Sequence, residues 1–278
     1  MTPQDLDKVK LIQLEIMDSI HNLCLKNGLT YYIIGGTLLG AVRHNGYIPW
    51  DVDIDIAMSR ENYEMLRKLC VEEHLIDNRY YYCDYLTMKD YPRPHAIICD
   101  KNTRIYLKHD DDNQCTSQTG IYLDIFPLDN APDDEKLRDK QAKCLMNLKK
   151  FKAYRIPYSY SKKKHIIFAH RCVARVLSII ASIATINKWQ QEEMCKYDGE
   201  QTKCLCSMAS QYSYKKQCMP REIYGTPVLL KFEGREYYAP EKYKEYLTRL
   251  YGNYMELPPV EKRQSNLEIY SKVEYLSE

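Results

Sequence analysis

The stretch from residue 31 to residue 58 reads YYIIGGTLLGAVRHNGYIPWDVDIDIAM, and it decides the fold that we expect. Residues 31–34 are aromatic and β-branched, which is typical of a buried strand. Gly35 and Gly36 end this run, and the apolar spacing of residues 37–44 predicts a helix. A strand that passes through a glycine pair into a helix presents free backbone N–H groups. Such a turn can bind a phosphate because no side chain stands in the way.

The segment that follows, residues 52–56, alternates strictly between apolar and acidic residues. A strand with this period places Asp53 and Asp55 on one face. Two carboxylates so close together do not readily stay ionised unless a cation lies between them, and oxygen ligands suit Mg²⁺ or Mn²⁺. A glycine pair alone would be a turn, and an acidic strand end alone would be a solvated edge. Together they predict metal-dependent phosphoryl or nucleotidyl transfer.

Three segments of the chain resemble the LicD family, whose members include phosphocholine transferases acting on bacterial surface glycans. They are residues 35–51 (GGTLLGAVRHNGYIPWD), 121–129 (IYLDIFPLD) and 250–259 (LYGNYMELPP), so the resemblance spans roughly residues 10–265. The first segment is also similar to the catalytic region of fukutin-related protein, a ribitol-phosphate transferase. The resemblance implies an α/β (α+β) nucleotidyltransferase-like fold, with a mixed β-sheet core flanked by helices and a helical C-terminal annex.

This sequence departs from the family pattern at three positions. Val52 and Asn253 stand where relatives usually have aspartate, and Ile97 stands where they usually have lysine. The alternating pair of aspartates is unaffected, so we expect the carboxylate missing at position 52 to be dispensable. If the lysine of relatives contacts phosphate, another basic residue must replace it here. The candidates are Arg93, Lys101 and Arg104.

A third carboxylate is expected in the second family segment. Asp124 is flanked by apolar residues, and burying it is costly unless it is paired or bound to a metal. The resemblance implies that a carboxylate from a neighbouring strand completes the metal site, so we expect Asp124 beside Asp53 and Asp55. Asp129 lies beyond a proline, and we expect it to cap the next helix.

The resemblance also implies a reaction. A hydroxyl of a glycan acceptor attacks the distal phosphate of CDP-choline, and CMP leaves. Asp124, by geometry, or Asp51, by proximity, would accept the hydroxyl proton. Two alternatives stay open: the donor is another CDP-alcohol such as CDP-ribitol or CDP-glycerol, or the reaction is nucleotidyl transfer from an NTP. A non-catalytic sugar-binding or scaffold protein with the same fold is a third.

Six residues are candidates for substrate binding. The backbone N–H groups of Gly35 and Gly36, with Thr37 at the helix start, are expected to hold a phosphate. Arg43 suits a bidentate phosphate contact. Trp50 and some of the tyrosines would face the quaternary ammonium of choline. For His44 a phosphate contact and a hydrogen bond at the helix end are both open.

The composition of the chain argues against one class of substrate and favours one cellular compartment. The 278 residues carry a formal net charge of +2, which argues against a nucleic-acid substrate. Eleven cysteines without a CxxC pair, and no signal peptide, are typical of reduced thiols in the cytoplasm. Residues 176–186 form an apolar run of 11, short of the roughly 20 that span a bilayer. We therefore expect no transmembrane segment. Peripheral contact with the inner membrane face stays open, because such glycan precursors are often lipid-linked.

We expect residues 1–130 to form the catalytic core. Residues 131–278 would form a helical annex with a small hairpin and a C-terminal tail, packed on the core as one unit. Helices are expected over residues 5–26, 59–70 (with Ser59 as its N-cap), 133–154, 162–186 and 189–198. Further strands are expected over 79–86, 96–99, 104–107 (returning antiparallel from 96–99) and 204–210, with a mobile loop over 109–120 and a hairpin within 221–238.

Overall fold

A mixed seven-stranded sheet forms the centre of the protein in a computed structural model, which describes residues 3–107, 119–155, 176, 181–263 and 270–276. Five strands follow one another across it: β1 (Tyr32–Ile33), β2 (Asp55–Ser59), β6 (Tyr122–Ala131), β4 (Ala96–Asp100) and β3 (Tyr80–Cys83). Two short strands extend the far end of β6: β7 (Cys204–Cys206) and β8 (Cys218–Pro220). The β2–β6 pair is parallel, and the other pairs of this sheet are antiparallel. The expected mixed sheet flanked by helices is confirmed.

Helices surround this sheet. They are α1 (Pro3–Asn27), α2 (Gly35–His44), α3 (Arg60–Val71), α4 (Glu135–Arg155), α5 (Ile183–Met194), α6 (Tyr214–Gln217), α7 (Arg221–Tyr224) and α8 (Tyr243–Tyr251), with 3₁₀ turns at Cys195–Tyr197 and Val260–Lys262. Helix α1 ends before Gly28, whose φ of +66° an L side chain would strain. Ser59 caps α3 as the sequence predicts, because its hydroxyl accepts the N–H of Asn62.

The two faces of the sheet have different chemistry. The apolar stripe of α1, including Ile16 and Ile20, is fully buried, and this helix packs against β4 and β6. The other face carries Asp55, Ile97 and Asp124 side by side, because residues paired across adjacent strands point to the same side. A carboxylate site can therefore form on this face while the first one holds the main apolar core.

Two small antiparallel ladders lie outside the main sheet. The hairpin expected within residues 221–238 is confirmed as β9 (Val228–Phe232) and β10 (Arg235–Ala239). The expected return of residues 104–107 against 96–99 is wrong, because β5 (Thr103–Leu107) pairs with β11 (Tyr270–Tyr275) instead. The partner strand lies more than 160 residues further along the chain, so no local pattern indicates it.

Several expected boundaries differ from the structure. The helix predicted to start at 189 begins at Ile183, where Ser182 accepts the N–H of Thr185 and caps it. The expected strand over 204–210 ends at Cys206. Asp129 does not cap a helix: it lies within β6, fully buried, and is ion-paired with Arg60 at 2.7 Å. Residues 109–118 of the predicted loop, and residues 162–175 and 177–180 of the predicted helix, lie outside the described residues.

The division at residue 130 stays a prediction. Strand β6 runs through that position, and β7 and β8 join the same sheet from the later half of the chain. Among the described helices, none combines the length and the apolar character needed to cross a bilayer.

Candidate active site

Three carboxylates converge where β2 and β6 run in parallel. Asp55 is the first residue of β2 and is paired in register with Asp124 of β6. Asp53 precedes the strand, which begins three residues later than the sequence predicts. The alternation nevertheless holds, because Val52 and Ile54 are buried between the acidic residues. One carboxylate oxygen from each aspartate lies within 4.8 Å of the other two.

Burial and mutual repulsion disfavour the ionised forms of Asp53 and Asp55. Burial, and next the charge of Asp55, raise the pKa of Asp53 well above its usual range. Burial, and next the charge of Asp124, do the same to the pKa of Asp55. A divalent cation among three carboxylate oxygens would remove this repulsion, and an all-oxygen donor set is the one that Mg²⁺ and Mn²⁺ prefer. The residues present therefore fit the expected ion.

The glycine pair lies directly against the carboxylates of Asp55 and Asp51. At Gly35, where φ is +56°, an added Cβ would lie 3.2 Å from Asp55 Oδ2. At Gly36 it would lie 2.4 Å from Asp51 Oδ2, closer than a side chain tolerates. Both glycines belong to the first turn of α2, which begins two residues earlier than the sequence predicts. The backbone can thus approach the carboxylates at a distance that any larger residue would prevent.

Thr37 connects α2 to β2. Its buried hydroxyl accepts the backbone N–H of Asp55 at 2.8 Å, which fixes the start of the acidic strand relative to the helix. The N–H of Gly35 donates to the hydroxyl of Tyr246 on α8 at 3.4 Å. Both contacts position the glycine turn against the acidic residues.

A cavity of about 580 Å³ opens above the glycines and acidic residues. Its lining comes from two distant parts of the chain: residues 35–55 and the segments around 211–212 and 251–259. The aromatic part of the wall comprises Trp50, Tyr212, Tyr251 and Tyr254. The family segment near the end of the chain therefore forms part of the site, which its sequence did not indicate.

Arg43 and His44 lie at the end of α2 beside this wall. The guanidinium of Arg43 donates to the carbonyl oxygens of Tyr254, at 2.8 Å, and Glu256, at 3.4 Å, so it ties α2 to the tail. Its Nε donates to His44 Nε2 at 3.0 Å. Burial, and next Arg43, lower the pKa of His44, which favours the neutral acceptor form. The His44 ring meets Trp50 edge-on at 6.3 Å.

Arg93 and His95, which precede β4 in the chain, lie close to Asp124. His95 Nε2 lies 2.7 Å from Asp124 Oδ1, and its ring packs on Phe126 at 4.2 Å. His95 Nδ1 is buried without a hydrogen-bond partner among the described residues. Arg93 Nε lies 4.0 Å from the same oxygen, with the guanidinium over the ring of Tyr122. His95 was not among the predicted site residues, and the only local signal was its place directly before the predicted strand 96–99.

Of the three basic candidates for the missing lysine, only Arg93 is at the site. Lys101 donates to the carbonyl of Asn78, and Arg104 lies on β5 opposite Glu274 of β11. Ile97 pairs in register with Asp124 and is fully buried with Cys83, Tyr91 and Cys99.

Comparison with known proteins agrees with this geometry. The family model for the LicD/FKTN/FKRP nucleotidyltransferase domain matches residues 28–161. The lipopolysaccharide cholinephosphotransferase LicD of Haemophilus influenzae is 30% identical over 257 residues, which cover 91% of this chain and 92% of that protein. The human and mouse ribitol 5-phosphate transferase FKRP are each 49% identical over 43 residues, or 14% of this chain and 9% of theirs.

The similarity to LicD extends over nearly the whole of both chains, so it includes the carboxylates and the glycine turn. The expectation drawn from the three family segments is thereby confirmed. The chain is a phosphotransferase, and it belongs to the LicD family.

Proposed function

We propose that this protein transfers phosphocholine from CDP-choline to a hydroxyl of a cell-surface glycan or its precursor, releasing CMP. The observation that carries the proposal is the convergence of Asp53, Asp55 and Asp124 at one end of a cavity with an aromatic wall. The acids suit a diphosphate with its counter-ion, and the wall suits an organic cation. The LicD relative is itself named as a cholinephosphotransferase.

Asp53, Asp55 and Asp124 would hold Mg²⁺ or Mn²⁺. When bound, such an ion offsets the negative charge of the transferring phosphate and the leaving group. The N–H groups of Gly35 and Gly36 would hold the phosphate, since the turn can approach it without side chains between. Thr37, at the start of the same helix, would contribute to this phosphate site, and its hydroxyl also accepts the N–H of Asp55.

The acceptor proton needs a base that does not belong to the proposed metal set. Asp124 accepts a hydrogen bond from His95 or shares a proton with it, and it belongs to the proposed metal set. Asp51 lines the cavity beside Gly36 and lies outside that set. Of the two alternatives we therefore favour Asp51 as the base that takes the hydroxyl proton during attack.

The choline group would bind the aromatic wall. Tyr212 and Tyr251 lie edge to face with ring centroids 6.1 Å apart, and both line the cavity. The ring of Trp50 already has the guanidinium of Arg263 over it at 5.6 Å, so the tyrosines offer the better faces for a second cation. Glu256 lines the same cavity and adds negative charge near its rim. Aromatic faces beside a carboxylate suit the positive charge of a trimethylammonium group, whereas uncharged ribitol or glycerol does not need them.

We infer a reaction in the cytoplasm, where the described cysteines would remain reduced, as they are here. If the acceptor is lipid-linked, we expect the protein to act at the inner membrane face without spanning it.

A donor panel tests the function. The purified protein is incubated with CDP-choline, CDP-ribitol, CDP-glycerol or CTP, with Mg²⁺ or EDTA, and CMP, CDP and pyrophosphate are quantified. We expect Mg²⁺-dependent CMP release that is fastest with CDP-choline. Asp53→Asn and Asp55→Asn should abolish it, and Asp139→Asn, on the exposed surface of α4, should not. Pyrophosphate from CTP without CMP from CDP-choline would refute the proposal.

The aromatic wall gives a separate test of choline recognition. We expect Tyr251→Leu to raise KM for CDP-choline about five- to thirtyfold, which corresponds to about 1–2 kcal/mol of cation–π binding. KM for CDP-glycerol should change little. Tyr275→Leu, at the exposed end of β11, is the matched control. An equal rise in KM for both donors would show that Tyr251 has only a packing role.

A further inference from the structure

Three cysteines lie together on the short strands β7 and β8. Cys204 and Cys206 are two residues apart in β7, so they point to the same face. Cys218, the first residue of β8, is paired in register with Cys206. All three are free thiols. Cys218 therefore lies directly across from Cys206 and diagonally from Cys204.

The surroundings of Cys218 stabilise its thiolate. Arg138 of α4 directs Nη1 at Cys218 Sγ, 3.9 Å away. The hydrogen bond from Cys206, together with Arg138 and Cys204 and against the effect of burial, lowers the pKa of Cys218 to about 6. Burial instead raises the pKa of Cys206, so that thiol keeps its proton. The cross-strand pair thus combines an ionised thiol with a protonated one.

Two other partly exposed thiols among the described residues, Cys144 and Cys195, lack this arrangement. Burial raises the pKa of both Cys144 and Cys195, the first beside Glu193 and the second despite Arg60. Cys144 and Cys195 are partly exposed, as Cys218 is, but their surroundings raise the thiol pKa whereas those of Cys218 lower it. They are therefore internal standards for the reactivity of Cys218.

We propose that Cys218 and Cys206 form a peroxide-sensitive dithiol, in which Cys218 is the reactive thiol and Cys206 resolves it to a disulfide. In the first step the sulfur of Cys218 attacks hydrogen peroxide: an S–O bond forms, the O–O bond breaks, and hydroxide leaves and is protonated to water. In the second step the sulfur of Cys206 attacks that of Cys218. An S–S bond forms, the S–O bond breaks, and the proton of Cys206 leaves with hydroxide as a second water.

Register decides which cysteine resolves. Residues directly opposite in an antiparallel pair have Cα atoms about 4.5–5.5 Å apart, within the range of about 4.4–6.8 Å found in disulfides. The diagonal neighbour lies about 7–8 Å away, too far to be bridged without movement of the backbone. Cys206, rather than the more accessible Cys204, is therefore the partner of Cys218.

The bridge would close a loop that reaches the cavity. The chain between the two cysteines, residues 207–217, carries Gln211 and Tyr212, which line the cavity. The hydroxyl of Tyr212 also hydrogen-bonds that of Tyr251 at 3.4 Å. The dithiol itself does not depend on the proposed function, so its test needs no substrate.

Peptide mapping tests the pair. The full-length protein is treated with hydrogen peroxide, blocked with N-ethylmaleimide and digested with trypsin without reduction. We expect a disulfide between the peptide 204–215, which contains Cys204 and Cys206, and the peptide 217–221, which contains Cys218. Cys204→Ser should retain this crosslink and Cys206→Ser should lose it. Retention in Cys206→Ser with loss in Cys204→Ser would overturn the assignment.

Alkylation of the untreated protein gives a readout that does not depend on cysteine variants folding. At pH 7 we expect iodoacetamide to modify Cys218 about tenfold faster than Cys144 and Cys195, because its thiolate fraction is larger. Arg138→Gln should reduce that advantage. Equal rates at the three cysteines, or peroxide oxidation of Cys218 that stops at sulfinic acid without any crosslink, would overturn the proposal.

Discussion

Replacing Asp55 by asparagine should stabilise the metal-free protein while it abolishes transfer. Carboxylate oxygens of Asp53, Asp55 and Asp124 lie within 4.8 Å of one another. Two unit charges at that separation repel by about 3.5 kcal/mol at an effective dielectric constant of about 20. Proton uptake relieves part of this, because burial and Asp124 raise the pKa of Asp55. We expect a net gain of about 1–3 kcal/mol, or about 2–6 °C in Tm.

Thermal unfolding in EDTA and in excess Mg²⁺ measures this effect. The wild type should gain stability with Mg²⁺, by about 2.7 kcal/mol at a hundred times Kd, and Asp55→Asn should gain much less. Asp129→Asn is the matched control. Asp129 is fully buried and paired with Arg60 at 2.7 Å, so losing its charge removes the nearest counter-charge of a buried guanidinium, whose other ion pair, with Glu64, is longer at 3.4 Å. That variant should lose about 3 kcal/mol whether or not Mg²⁺ is present.

The two substitutions therefore have opposite expected signs in EDTA. A lower Tm for Asp55→Asn, comparable with that of Asp129→Asn, would show that Asp55 is held by an internal partner and not by an ion. Equal stabilisation of the wild type and Asp55→Asn by Mg²⁺ would show that the ion binds elsewhere. Either result refutes the carboxylate site.

Three further outcomes follow from the same geometry. Folding raises the pKa of Asp53 and Asp55, so the folded state binds more protons than the unfolded chain. The free energy of unfolding of the metal-free protein should therefore fall as pH rises above the ordinary carboxyl range. The fall should be smaller for Asp55→Asn in the same unfolding assay. Gly36→Ala places a Cβ 2.4 Å from Asp51 Oδ2 and should lower kcat/KM at least tenfold, whereas Gly199→Ala, with open space around it, should not. His95→Ala removes the partner of Asp124 and should weaken Mg²⁺ binding about 10- to 100-fold in a metal titration.

Local patterns predicted the elements that carry the chemistry. The glycine pair, the alternation around Asp53 and Asp55, and the cap at Ser59 each depend on neighbours in sequence, and the structure has all three. Asp124 came from the family resemblance, because parallel pairing of β2 with β6 cannot be read from either strand alone. The comparisons then showed the family that those motifs indicated.

Long-range contacts account for what the sequence did not predict. Arg43 lines the cavity, so its role as a phosphate ligand stays a prediction, but no local pattern indicated that its guanidinium also donates to carbonyl oxygens of a tail more than 200 residues away. Strand β5 takes a partner from near the end of the chain rather than from the adjacent hairpin turn. The aromatic wall joins Trp50 to tyrosines from the same distant segments. Spacing indicates how a residue is placed in its own helix or strand, and it does not indicate which distant segment packs there.

Strand β6 carries two aspartates whose roles differ because their partners differ. Asp124 and Asp129 are five residues apart, so a strand directs them to opposite faces of the sheet. Asp129 lies within 4.8 Å of Cys195 and Asp198, another group that resembles a metal site, but Arg60 already supplies its counter-charge at 2.7 Å. Around Asp124, two further carboxylates face one arginine at 4.0 Å and one histidine. Two carboxylates and one guanidinium give the first group a formal charge of −1, whereas three carboxylates and one guanidinium give the second −2, with histidine counted as neutral. The larger excess of negative charge, rather than the presence of acidic residues alone, therefore favours the Asp124 group over the Asp129 group as the site that a cation would occupy.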